Sequence, residues 1–285
     1  MMIEYKIYIT RIKFNNYLKI LYNLIMKYII GVIIHNDTQY NHMKDIWIKN
    51  MSINGLNNME LYFIYGNDNN KNNKQVERIV GDIYNFYGKN KETLYNILKK
   101  TLDFMEYIDN THTEYVFLRT NASTMFNLPL LKHYMNDFTT FKYAAGGTFT
   151  SSTQYFPNGL FEKLNFISGT NLCISQSVVK QCVNARKTIE FYGTSGFLED
   201  VAISKFILHT MKCDKVCFIS RIDILDQIEL QHYDSAYNVF CFRFKSNNRE
   251  NDIHNMNYLL NNNFDIKILL EWVKKLGINH YVNEN

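Results

Sequence analysis

The sequence predicts an α/β fold, with a mostly parallel central sheet flanked by helices and a helical region at the C-terminal end. Three observations carry that prediction. Apolar runs of strand length alternate with segments of helical period between Tyr28 and Thr120, the pattern of parallel strands joined by crossover helices. The runs are continuous, as in strands buried on both faces. The run Tyr115-Val116-Phe117-Leu118 then stops abruptly at Arg119-Thr120-Asn121-Ala122-Ser123-Thr124. A strand of that kind delivers polar residues to the carboxyl edge, where open α/β sheets bind ligands.

Residues 1–25 mix aliphatic and basic positions without turn chemistry and are expected to form a peripheral arm. The main domain is expected over 26–250, with 251–285 as a helical extension packed on it. Tyr28 to Ile34 is a β-branched central strand. It is closed by His35-Asn36-Asp37-Thr38, which contains helix-capping residues. Met43, Ile46 and Trp47 share one face of the helix that follows. Leu61 to Tyr65 is a second strand, and 67–74 an Asn-rich surface loop. Tyr84 to Tyr87 leads into a helix from about Lys91 to Ile108, whose Leu94, Ile97, Leu98, Leu102 and Met105 keep a 3.6-residue period. After Leu128-Pro129 a helix runs to about Asn136. In Phe166 to Ser175 a glycine inside two apolar halves marks a close backbone approach, to another strand or to a ligand. Gln176 to Ala185 reads as a helix, and Glu199-Asp200 opens another that runs to Met211. Two explanations of that acidic pair stand: stabilisation by the helix dipole, or a base facing a site. Val216 to Ile219 and Val239 to Phe242 are late strands, the second leading to Arg243-Phe244-Lys245.

Composition narrows the function classes. A net charge of +4 on 285 residues suits an anionic small ligand, and no basic stripe or recognition motif argues for nucleic acid. Aromatic content of 15% goes with a high density of Asn, Ile and Lys, the profile of an AT-rich genome, so the aromatics do not argue for a binding platform. Cys173, Cys182, Cys213, Cys217 and Cys241 lack metal-ligand spacing and read as small buried hydrophobes in a reducing compartment. No run reaches the roughly 18 apolar residues of a membrane span, since Leu21 to Ile34 is broken by Asn23 and Lys27. The first 20 residues lack the clean apolar core of a signal peptide. The expectation is a soluble protein of the cytoplasm, or of the host cytoplasm if the chain is viral.

Four blocks in one order give a resemblance: Tyr28 to Trp47; Leu61 to Gly66 with Asp82-Ile83 and Tyr95-Asn96-Ile97-Leu98-Lys99-Lys100-Thr101; Tyr115 to Asn127; and Tyr155 to Ser175 followed by Glu199-Asp200-Val201. Together they resemble the β-1,3-galactosyltransferase and Fringe group of inverting glycosyltransferases, over about residues 28 to 205. The resemblance implies a GT-A fold with a Rossmann-like sheet. It also implies transfer of a sugar from a nucleotide-diphosphate donor, usually UDP-linked, to a hydroxyl of a glycan or glycoprotein acceptor, with inversion.

By family position Asp200 is the base, with Glu199 as an orienting neighbour. His35, Asp82, Lys99, Arg119, Thr120, Asn121 and Ser123 fall on the donor side, and Ser168, Gly169 and Thr170 on the acceptor side. The family holds a divalent metal with an Asp-rich turn, which here reads Asn121-Ala122-Ser123. One amide and one hydroxyl make a poor site for Mn²⁺ or Mg²⁺, so weak or no metal dependence is expected, with His232 as the one family-like candidate ligand. Arg119, Lys142, Arg243 and Lys245 are the cations available to neutralise a diphosphate. The alternative function is a degenerate member that binds nucleotide or glycan without catalysis.

If residues 1–25 are peripheral, a chain starting at Met26 should fold. Circular dichroism and thermal melting of that truncation should match the full chain.

Overall fold

The computed structural model describes residues 26–66, 75–91, 96–155, 161–224, 228–231, 239–265 and 280–282. Its axis is β1 (Lys27–Ile33), whose residues from Tyr28 onward are all buried. The chain then enters α1 (Thr38–Asn54), capped by Asp37, whose carboxylate accepts the Tyr40 amide at 2.9 Å. Next come β2 (Met59–Tyr65), β3 (Val76–Val80), β4 (Ile83–Tyr87), α2 (Ile97–Thr111), β5 (Tyr115–Asn121) and β6 (Thr124–Phe126). α3 (Leu128–Asn136) is capped by Asn127 and carries a proline in its first turn, where the missing N–H costs nothing.

The second half runs β7 (Ala144–Gly147), β8 (Phe149–Tyr155), β9 (Phe161–Ile167), β10 (Asn171–Ser175), α4 (Gln176–Asn184), α5 (Arg186–Thr194) and α6 (Glu199–Lys205). The last of these continues as a wider π turn over Phe206–Met211. Then follow β11 (Lys215–Phe218), β12 (Arg221–Ile224), β13 (Ile228–Gln231), β14 (Cys241–Phe244), α7 (Arg249–Asn261) and β15 (His280–Val282).

Eight strands form the main sheet in the order β11-β7-β10-β5-β1-β2-β4-β3. β5, β1, β2 and β4 are mutually parallel. β10 enters antiparallel between β5 and β7, and β11 is parallel to β7. Six of the eight strands therefore point one way, as expected of an α/β fold. From β1 the chain builds outward through β2 and β4, then crosses to the other side for β5. That reversal is the topological switch point, and the crevice outside its carboxyl ends is the usual ligand position.

Strand alternation divides the core. Tyr28, Ile30 and Val32 face a cluster with Met43, Ile46 and Trp47 of α1, Leu131 of α3 and Leu259 of α7. Ile29 and Ile33 face Leu102 and Met105 of α2, Val179 of α4 and Ile203 of α6. Gly31 lies on this second face, where a Cβ would come within 2.8 Å of both Ile64 and Phe117. A second sheet, β15-β13-β12-β14-β6, packs through Ile222, Phe242 and Phe244 into the first cluster. Cys173, Cys182 and Cys241 are buried thiols, while Cys213 and Cys217 are half-buried, and all five are unbridged.

Several expectations are corrected here. Tyr84 to Tyr87 is the third parallel strand, not a lead into a helix. The polar Asn85 in its middle obscured it, and that side chain is satisfied by Lys44 Nζ at 2.7 Å. α2 begins at Ile97 in place of Lys91, and Leu94 lies outside the described residues, as does the 67–74 loop. A separate helix, α5, follows α4. β14 starts two residues later than expected, which brings Arg243 into the strand. The C-terminal region is not wholly helical, because β15 pairs with β13 and extends the second sheet. The 1–25 arm lies outside the described residues.

At the amino end of the sheet, buried Glu60 accepts from Lys27 Nζ at 2.8 Å and Tyr62 OH at 2.9 Å, and its Oε2 lies 3.0 Å from His112 Nε2. Burial alone would raise this carboxyl, but its three partners outweigh burial and hold it at about 2. A depressed carboxyl stabilises the fold above its unfolded pKa and loses that contribution as pH falls through the folded value. Urea unfolding should therefore show roughly 3 kcal/mol lost between about pH 5 and pH 2 that is absent from Glu60→Gln.

Candidate functional site

The carboxyl ends of β1 and β5 lie side by side, with Ile33 opposite Asn121. Alternation along β5 puts Arg119 on the face of Tyr115 and Phe117, beneath α2 and α6. There it meets Glu199 at the first position of α6. Arg119 Nε donates to Glu199 Oε1 at 3.0 Å and Nη2 to Oε2 at 2.6 Å. Thr101 of α2 donates its hydroxyl to the same carboxylate at 2.9 Å. The remaining Arg119 nitrogen, Nη1, donates to Asn121 Oδ1 at 2.7 Å and to the Gly169 carbonyl. The pair is nearly dry, with side chains 4% and 11% exposed. Burial pushes the Glu199 carboxyl up, Arg119 draws it down and the charge of Asp200 adds to the rise, for a net upward shift.

A second arginine holds the other side of the same turn. Arg221 of β12 pairs through Nε and Nη2 with both oxygens of Asp223, two residues along the same strand face. Its Nη1 donates to the hydroxyls of Ser168 at 3.0 Å and Thr170 at 2.6 Å. The turn Ser168-Gly169-Thr170 is thus clamped from both sides. At Gly169 a Cβ would lie 2.8 Å from Arg119 Nη1 and 2.9 Å from the Asp200 Cβ. The close approach expected from this glycine is to those two side chains. Thr120 donates to the Thr170 carbonyl at 2.6 Å. Asn171, fully buried, donates to the Thr148 hydroxyl and accepts the Thr148 amide.

Asp200 is half-buried and is held by the backbone. Its Oδ2 accepts the Gly169 amide at 3.0 Å and its Oδ1 the Val201 amide at 3.0 Å. A carboxylate has about four lone-pair positions, so two backbone bonds fix its orientation and leave acceptor capacity. Its half-buried position keeps it reachable.

The structure brings together Asp200, Glu199, Arg119, Thr120, Asn121, Ser168, Gly169 and Thr170. Ser123 stands next to them, half-buried, its carbonyl accepting the Phe244 amide at 2.8 Å. His35 follows β1 at the same edge, half-buried against the Tyr40 ring. Asp82 does not join, because it is exposed in the turn before β4, at the amino end of the sheet. Lys99 points into solvent; helical phase gives the buried position to its neighbour Lys100, whose Nζ donates to the Ile34 carbonyl at 3.0 Å. Lys142 is exposed at the far edge, its carbonyl bonded to Ser175, which pairs with Val116 at the start of β5. Lys245 is exposed beyond β14, and His232 lies outside the described residues. The Arg119 guanidinium is engaged with Glu199, Asn121 and Gly169 inside the protein.

Asn121 to Ser123 does not fit a divalent metal. The Asn121 amide oxygen is taken by Arg119, and the Ala122 and Ser123 carbonyls are taken by Trp47 Nε1 and the Phe244 amide. Hard cations need several oxygen donors, carboxylates foremost. Sequence reading missed Thr101, Arg221, Asp223 and Asn171. The i, i+2 spacing of Arg221 and Asp223 was a legible sign of two charges on one strand face.

Gly169→Ala should force Arg119 and Asp200 apart and lower stability by about 1–3 kcal/mol, as overpacking does. Thermal and urea unfolding check this, with exposed Gly81→Ala, where a Cβ meets nothing within 4 Å though φ is +52°, expected to cost less.

No protein-family model matches the chain, and no curated protein is significantly similar to it. The chemistry of the site rests on its own geometry.

Proposed function

We propose that the chain is a GT-A-like inverting glycosyltransferase that moves a sugar from a nucleotide-diphosphate donor, UDP-linked by the resemblance, to a glycan or glycoprotein hydroxyl. The observation that carries the reading is Asp200. Its carboxylate is oriented by two backbone amides beside the carboxyl end of β5, and its neighbour Glu199 is paired with Arg119. Transfer with inversion is a single displacement. The acceptor oxygen bonds to the anomeric carbon as the bond from that carbon to the diphosphate oxygen breaks. The acceptor proton passes to a base, and the diphosphate leaves as an anion.

Asp200 suits the base because a general base must be oriented and within hydrogen-bond reach. Arg119 serves this role indirectly: by holding Glu199 and the Gly169 turn it sets where the Asp200 oxygens point. Thr120, Asn121 and Ser123 line the same edge and are the polar groups nearest to a donor placed at the crevice, with His35 at its β1 side. Cytoplasmic action on a nucleotide sugar, without a membrane span, belongs to the same reading, as do a viral or microbial source and a role in glycan biosynthesis. No helix among the described residues is long and apolar enough to cross a membrane.

A binding module is the second reading, and one observation favours it. The turn that holds the metal in the resembling family has its oxygens engaged within the protein, so a catalytic loss with retained recognition would leave this geometry. Asp200→Asn decides between the two. The variant should keep UDP binding by calorimetry and lose about 10²- to 10⁴-fold in transfer or donor hydrolysis. Undiminished turnover would reject Asp200 as the base, and tight UDP binding with no turnover of any donor in the wild type would favour the module.

A further inference from the structure

A leaving diphosphate needs positive charge, and the turn after β5 does not fit a divalent ion. The structure places one cation across a strand ladder from that turn. β14 pairs antiparallel with β6 so that Arg243 stands opposite Thr124, and the Phe244 amide bonds the Ser123 carbonyl at 2.8 Å. Residues opposed in a ladder put their side chains on the same face, and Asp223 of β12, also in register with Arg243, shares it.

Among the three arginines of the cluster, Arg119 and Arg221 are buried and multiply bonded. Arg243 has one ion-pair contact, Nη1 to Asp223 Oδ2 at 3.5 Å, and its side chain is 24% exposed. Asp223 is already bound through both oxygens by Arg221, so its charge is compensated without Arg243. Burial lowers the Arg243 guanidinium pKa; Asp223 raises it, Arg221 lowers it and Asp200 raises it. The cation thus lies within electrostatic reach of the proposed base. The hydroxyl of Thr124 on the same face is fully buried and has no hydrogen-bond partner. Buried polar groups are nearly always satisfied, and this orphaned hydroxyl lies on the ladder pair opposite the least engaged arginine of the cluster.

We propose that Arg243, on the strand face it shares with Thr124, binds a phosphate of the nucleoside-diphosphate ligand. The proposal rests on the nucleotide-sugar reading and names the group that takes the metal's electrostatic role. A guanidinium presents paired donors that match two phosphate oxygens, and its charge is covalently fixed, so binding is independent of divalent ions. During transfer it would stabilise the negative charge that grows on the leaving oxygen. Arg119 and Arg221 shape the turn on the other side without touching the ligand.

Calorimetry in EDTA with inorganic pyrophosphate, UDP and uridine, on wild type, Arg243→Gln and Arg243→Lys, tests this. The wild type should bind pyrophosphate and UDP without metal. Arg243→Gln should weaken both at least tenfold and leave uridine unchanged, and Arg243→Lys should fall between. Equal UDP affinity in wild type and Arg243→Gln overturns the assignment, as does wild-type binding that appears only with Mn²⁺ or not at all. Should Arg243→Gln lose its fold on thermal melting, Arg243→Lys is read in its place, and wild-type pyrophosphate affinity in that variant overturns the assignment. Donor turnover separates the two levels. UDP-sugar turnover unaffected by Arg243→Gln keeps the transferase and rejects Arg243. Pyrophosphate binding lost in Arg243→Gln, with no donor turned over by wild type, keeps the anion site and rejects the transferase.

Discussion

The three-residue turn Ser168-Gly169-Thr170, held between two arginine–carboxylate pairs, is the constraint on which the site depends. Arg119 reaches its carbonyl from the main sheet, Arg221 its hydroxyls from the second sheet, and Asp200 its amide from α6. No one of these elements is adjacent to another in sequence. A glycine in the middle is what lets all three close on the same backbone, because a Cβ would occupy the space of Arg119 and Asp200. The turn therefore fixes the distance between the two sheets and the direction of the partly open carboxylate together.

Buried ion pairs seldom add net stability, because desolvation offsets most of the attraction. Their use here is geometric. Glu199 stands against Arg119 and Asp223 against Arg221, so removing either arginine leaves an uncompensated buried carboxylate. The main-sheet pair is closed on itself with help from Thr101, which explains why Arg119 is a scaffold for the turn. The second-sheet set has one more cation than Asp223 needs. That excess, next to a turn without carboxylates, is the local imbalance from which a ligand anion is inferred.

The fold was legible where local pattern and tertiary environment agree. β1, β2 and β5 read as buried strands because continuous apolar runs occur where both faces are covered, and α3 and α4 fall on the helices expected after Leu128-Pro129 and over Gln176 to Ala185. β4 was hidden by Asn85, a polar residue whose partner Lys44 is far away in sequence. The second sheet was hidden because its strands are four residues or fewer and interrupted by polar positions such as Arg221 and Asp223, which resemble a surface until the partner sheet is present. Glu199-Asp200 and Ser168 to Thr170, singled out by their order along the chain, meet in the structure. Lys99 is exposed and Lys100 buried, a difference that helical phase decides.

From the sequence alone came the α/β class, the parallel core strands, the polar cluster at the end of β5 and the acidic pair that opens α6, since each is written in local periodicity or residue type. The tertiary structure alone decided what those residues do to one another. It engaged Arg119 inside the protein, placed Asp82 and Lys142 at the opposite edge, and brought Arg243 across the ladder from Thr124. The physical reason is that hydrogen-bond saturation and charge compensation are properties of a three-dimensional neighbourhood, and residues separated by 80 or more positions, such as Arg119 and Glu199, meet only after the sheet has set its strand order.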